Sequence, residues 1–175
     1  MTGMTKLGIE KIPPLVGRGV LVDIAAYLGV KTLAPGQVIE AEQIKAAATQ
    51  QGVSFQNGDI ILLHTGYTDA MLDSNPKQWG ASIPGISNAA AVYLASLEPV
   101  AVGADTWGLE AVPPKKGDKT FYGHVTLLKE NGIYILETMN TGRLAKENVT
   151  EFMFVLGQAK LQGAVQMIIN PIALW

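Results

Sequence analysis

Cysteine is absent from this sequence, histidine occurs only twice, and charged, glycine or proline positions interrupt every apolar run. The first absence excludes a disulfide framework, a thiolate zinc cluster and a cysteine nucleophile. Any metal must therefore be held by His, Asp, Glu or water. The interrupted apolar runs exclude a membrane-spanning helix, which needs about 20 consecutive apolar residues. Charge of one sign is missing as a block too: thirteen Lys+Arg face fifteen Asp+Glu, for a net charge of −2. No electrostatic footprint for nucleic acid or an anionic membrane follows from that balance, so a small, nearly neutral molecule is the expected partner. The opening stretch "MTGMTKLGIEKIPPLVGRG" has no basic segment leading into an apolar one, which makes the cytoplasm the expected compartment.

Several familiar motifs are missing as well. There is no GxxxxGK[ST] phosphate loop, no G-x-G-x-x-G, no H-E-x-x-H and no G-x-S-x-G. The usual nucleotide-binding and serine-hydrolase readings fail for want of parts.

What is present fits one domain over residues 1–175, a length that one core serves. "GVLVDIAAY" reads as the first strand, with Val20, Val22 and Ile24 alternating. "APGQVIEAEQIKAAATQQG" gives a turn and a helix stopped at Gly52, and "GDIILLHTG" is apolar enough for a strand buried on both faces. Residues 67–84 read as a long polar loop. "ISNAAAVYLASLE" predicts a helix, "PVAVGAD" a strand, "YGHVTLLKENG" a helix closed by Gly132, and "IYILE" the strand that follows it. "EFMFVLGQAKLQG" and "AVQMIINPIALW" read as two strands about a turn at Gly163, with Pro171 confining the second to an edge or a bulge. Alternating strands and helices with a β-rich tail indicate a mixed α/β domain.

Four places have the residue types for chemistry. His64 ends a buried strand, where open α/β sheets present ligand-facing groups, although such a histidine also satisfies itself on nearby backbone. Asp105, in "VGADTWG", ends another strand, with a turn or capping role as the alternative, and Trp107 follows it as a candidate pocket wall. Arg18, between two glycines, is placed to clamp a carboxylate or a subunit contact, or simply to sit on an exposed turn. His124 begins a helix whose following strand ends at Glu137. A helix rises about 1.5 Å and a strand about 3.3 Å per residue, so the two antiparallel legs are similar in length and permit the pair to meet. That spacing alone also arises by chance, and a catalytic zinc normally takes three protein ligands.

Taken in order, "VGRGVLVDIA", "GDIILLHTGY", "PGISNAAAVYLA", "AVGADTWGLE", "HVTLLKENGIYILE" and "GAVQMIINPIA" resemble the consecutive blocks of the cyclase family of metal-dependent hydrolases, to which kynurenine formamidase and isatin hydrolase belong. The resemblance runs from about Val16 to the end. It implies a swivelling β/β/α type of fold, a mixed sheet with flanking helices. It also implies a Zn²⁺ or Mn²⁺ centre with His124 and Glu137 as ligands, and hydrolysis of an amide, lactam or lactone bond in a small carbonyl compound. His64, Asp105, Trp107 and Arg18 stay as candidate substrate-binding residues. Family members carry "HxGTHxDxPxH" upstream of the "RGVL" block, for the remaining ligands and the acid/base histidine. Before Val16 this chain has no His and no Asp, so it resembles the C-terminal part of a full-length member. The alternative function is a catalytically inactive remnant of the fold that serves binding or assembly. Either way a dimer or larger homo-oligomer is expected, since a missing strand layer exposes apolar surface and sheet edge.

Overall fold

The computed structural model describes residues 8–175. Its centre is a six-stranded sheet built from β1 (Leu15–Asp23), β3 (Ile60–His64), β5 (Ala101–Ala104), β6 (Tyr134–Leu136), β7 (Glu151–Leu156) and β8 (Ile172–Leu174), in the order β6-β5-β3-β1-β7-β8. The first four run parallel, while β7 and β8 are antiparallel to their neighbours. A two-stranded parallel ribbon, β2 (Val38–Ile39) with β4 (Gly85–Ile86), lies apart from it. This is the mixed α/β sheet with flanking helices that the sequence pattern implies.

Parallel strands require crossovers, and the crossover helices cover one face. The helices α2 (Ala41–Gln50) and α5 (Asn88–Ser96) bury Ile44, Ala47, Ala90 and Leu94 against Val20, Val22, Ile61, Leu63 and Val102 of the sheet. The opposite face gathers Leu15, Leu21, Leu62, Phe152 and Phe154 with Leu144 from α7 (Gly142–Lys146). β3 lies between the two cores and is buried at every position, which is why its sequence is continuously apolar rather than alternating.

Three expectations differ in detail. β1 begins at Leu15, not Gly19, and stops at Asp23, because the Asp23 carboxylate accepts the Ala26 N–H at 2.8 Å and turns the chain into the short helix α1 (Ile24–Tyr27). The stretch 67–84 is not all loop: it holds α3 (Tyr67–Met71) and α4 (Pro76–Ala81), the latter started by an Asn75 cap with proline in its first turn. The last strand shrinks to β8, since Gly163 takes a positive φ of 77° and Pro171 lacks the N–H that a longer ladder needs. Pro171 does lead into an edge strand. Among the described residues no helix is long and apolar enough to cross a membrane.

Candidate metal centre

The parallel strands end along one rim of the sheet, where Asp23, His64, Asp105 and Glu137 end or follow β1, β3, β5 and β6 in spatial order. Open α/β sheets present their ligands there. Glu137 is carried to that rim by β6. His124 reaches it from above, in α6 (Tyr122–His124), which runs on as a π-helical stretch, Val125–Glu130, and ends at Gly132 with φ 67°. Helix and strand are antiparallel, so their far ends meet: His124 Nε2 lies 3.3 Å from Glu137 Oε1.

The other side of the imidazole is fixed by a residue that sequence reasoning did not single out. Glu110, only 4 % exposed, accepts the backbone N–H groups of Gly123 at 2.8 Å and His124 at 2.9 Å, and its Oε1 lies 2.7 Å from His124 Nδ1. A carboxylate at the start of a helix satisfies otherwise unpaired N–H donors, and here it also orients a ring. Phe121 closes the ring's flank, edge-on at 5.3 Å between centroids. The pKa of His124 is pulled down by burial, but the hydrogen bonds to Glu110 and Glu137 outweigh this and raise it from 6.5 to about 9. The metal-free imidazole is therefore a cation between two carboxylates at neutral pH.

This arrangement suits an imidazole ligand. With Nδ1–H donated to a buried carboxylate, Nε2 is the nitrogen that faces a cation, beside a Glu137 oxygen. Glu110 lies across the ring and orients it; it does not share an ion with Glu137. Among the described residues no group of three or more His, Asp or Glu side chains is placed to hold a metal ion, so the fit is to part of a coordination sphere.

The remaining candidates divide. His64 and Asp105 share the rim but not the pair: His64 Nδ1 lies 2.7 Å from Thr141 Oγ1 and 3.9 Å from Asp105 Oδ2. Asp105 Oδ1 accepts from the Thr65 amide and hydroxyl at 3.0 and 2.7 Å, while its Oδ2 has no partner. Burial pushes the Asp105 carboxyl above its ordinary value, against the opposing pull of Thr65 and His64. Residues 138–141 run across the rim from Glu137 to this network, held by Thr138 N–H on the Thr106 carbonyl and Met139 N–H on that of Ala104, both at 2.9 Å. The Trp107 indole N–H donates to the Trp79 carbonyl at 2.8 Å and ties α4 down. Arg18 is spent elsewhere: its guanidinium holds Asp59 through two contacts of 3.0 and 2.8 Å, Glu151 at 2.9 Å and the Ser54 carbonyl at 3.0 Å, away from the rim.

Comparison with known proteins agrees with this architecture. No curated protein matches the sequence. A crystal structure of a novel cyclase is 30% identical with a TM-score of 0.86, over 98% of this chain and 56% of its own. An isatin hydrolase bound to the product analogue thioisatinate is 19% identical with a TM-score of 0.70, over 91% of this chain and 60% of its own. A "predicted metal-dependent hydrolase" from Bacillus stearothermophilus is 21% identical with a TM-score of 0.63, over 90% of this chain and 63% of its own. This chain thus spans less than two thirds of the length of these relatives. The Cyclase family model matches residues 2–111, more than half of the sequence. The chain belongs to the cyclase family.

Proposed function

We propose that this chain is a metal-dependent hydrolase that opens an amide, lactam or lactone bond of a small carbonyl compound, with His124 and Glu137 as two ligands of a Zn²⁺ or Mn²⁺ ion. The observation that carries the reading is the contact of His124 Nε2 with Glu137 at 3.3 Å while Glu110 holds Nδ1 at 2.7 Å. A divalent ion bound here would supply Lewis acidity toward the carbonyl and toward water. What the protein does is set the geometry. Glu110 fixes the ring and its tautomer, Glu137 provides a carboxylate oxygen on the open side, and the segment 138–141 pins the end of β6. Names of structural neighbours, a metal-dependent hydrolase and an isatin hydrolase, support the same class.

Titration with Zn²⁺ and Mn²⁺, followed by assay with N-formylkynurenine and isatin, tests it. Metal-dependent turnover that disappears in Glu137→Gln supports the reading. A second reading rests on a specific observation: among the described residues there is no third ligand. A non-catalytic member that serves binding or assembly would show no hydrolysis with either metal.

Self-association is part of the proposal. Val16, Val155 and Ile172 form one row across β1, β7 and β8, and Met153 and Leu174 the next. Four of these five side chains are exposed, on the continuation of the Val20 and Val22 face that the crossover helices do not reach. Apolar surface of that kind favours a dimer or larger assembly.

A further inference from the structure

A groove of about 890 Å³ opens on the sheet face opposite the helices, between residues 137–144 and 166–175. Glu137 lines it, so it adjoins the candidate metal pair. Apolar wall comes from Met139, Leu144, Phe152 and Phe154, and its cationic lining residue is Arg143. The volume lies within the range of small-molecule sites, about 300–1,000 Å³, which combine apolar walls with a few placed polar groups.

Arg143 is set up to receive an anion. Its guanidinium carbon lies 4.9 Å from the centroid of the Trp175 ring, which holds the plane in place. Nε donates to Glu147 at 2.8 Å, and the two terminal nitrogens have no acceptor among the described residues. A free guanidinium edge matches a carboxylate through parallel N–H donors. Charge then fixes the direction of a ligand, because an acid would be repelled by Glu137 and attracted by Arg143.

We propose that the groove binds a small organic acid with an apolar body, its carboxylate on Arg143 and its hydrocarbon over Met139, Phe152 and Phe154. The end remote from the carboxylate points to Glu137. Placing the scissile carbonyl at that end rests on the hydrolase reading; the binding itself does not.

The test is a calorimetric titration of the whole chain, with EDTA present, using 3-phenylpropionate and its neutral counterpart 3-phenylpropionamide as probes. The acid is expected to bind about tenfold more tightly than the amide, as one charge-assisted pair provides. Arg143→Gln brings the two affinities together and leaves the amide unchanged. Arg143 is largely exposed, 73 % for its side chain, so the variant keeps the fold, which thermal melting checks. Equal binding of acid and amide by the native chain, no binding of either at millimolar concentration, or an acid preference that survives Arg143→Gln overturns the assignment. Because no metal is present, absence of turnover would defeat the hydrolase reading and leave the acid preference standing. Loss of the preference with turnover intact would defeat the groove assignment alone.

Discussion

Gly123 lies flat against Glu110: a Cβ at position 123 would stand 2.7 Å from the Glu110 carboxyl carbon. The buried carboxylate can approach the helix start, and so hold His124, only because nothing projects there. Gly123→Ala therefore forces Glu110 back and frees the imidazole. We expect destabilisation of about 1–3 kcal/mol, the range of overpacking in a core, together with weaker metal binding. Urea unfolding and a metal titration on the same variant check both.

Glu110→Gln keeps the shape and removes the charge behind the ring. Loss of such an orienting partner typically weakens metal affinity about 10–100-fold. The expected result is that loss in calorimetry, with the fold retained in circular dichroism; unchanged affinity would remove Glu110 from the account.

The charge of His124 makes the metal-free protein sensitive to pH. Its folded pKa of about 9 lies above the ordinary 6.5, so the group stabilises the fold fully below pH 6.5 and loses that contribution as pH rises through 9. With allowance for solvent screening the loss is on the order of 2 kcal/mol. Unfolding curves between those limits should show it, and His124→Gln should flatten the profile. The same proton competes with a metal ion for Nε2, so metal affinity should rise over that interval.

The pair of Arg18 with Asp59 predicts a purely structural effect. Asp59 is 2 % exposed, and its carboxylate is paired with that guanidinium. Arg18→Met leaves a buried carboxylate without its cation, a loss of about 2–3 kcal/mol in urea unfolding. Metal and ligand binding by the folded variant should not change.

The bare strip of β1, β7 and β8 predicts the assembly. Ile172→Lys places a charge at the outer end of its first row, beside Val155. Light scattering at micromolar concentration should give a dimer or larger for the native chain and a smaller species for the variant.

Elements with a regular pattern were legible. The continuous apolar run of Ile60–His64 dictated a strand between two cores, and the apolar spacing in Ala41–Gln50 dictated its helix. The rise per residue permitted His124 to meet Glu137 without requiring it, and the short connection through Gly132 leaves the two ends side by side. Glu110 was not legible. It reaches His124 only after residues 111–121 fold back, and its one signal is an acidic side chain between Leu109 and Ala111, both buried. Arg18 was legible only as a group placed to clamp a carboxylate, since a Gly-Arg-Gly triplet does not name Asp59 and Glu151, which the sheet register brings to it.

The central claim is that one imidazole and one carboxylate, meeting at the rim of the sheet, hold a divalent ion. Calorimetric titration of Mn²⁺ and Zn²⁺ into the native chain and into Glu137→Gln tests it most directly. The account predicts saturable binding of one ion per chain, weakened about tenfold or more by the substitution. Equal affinity in the two proteins, or no binding of either metal by the native chain, would contradict it.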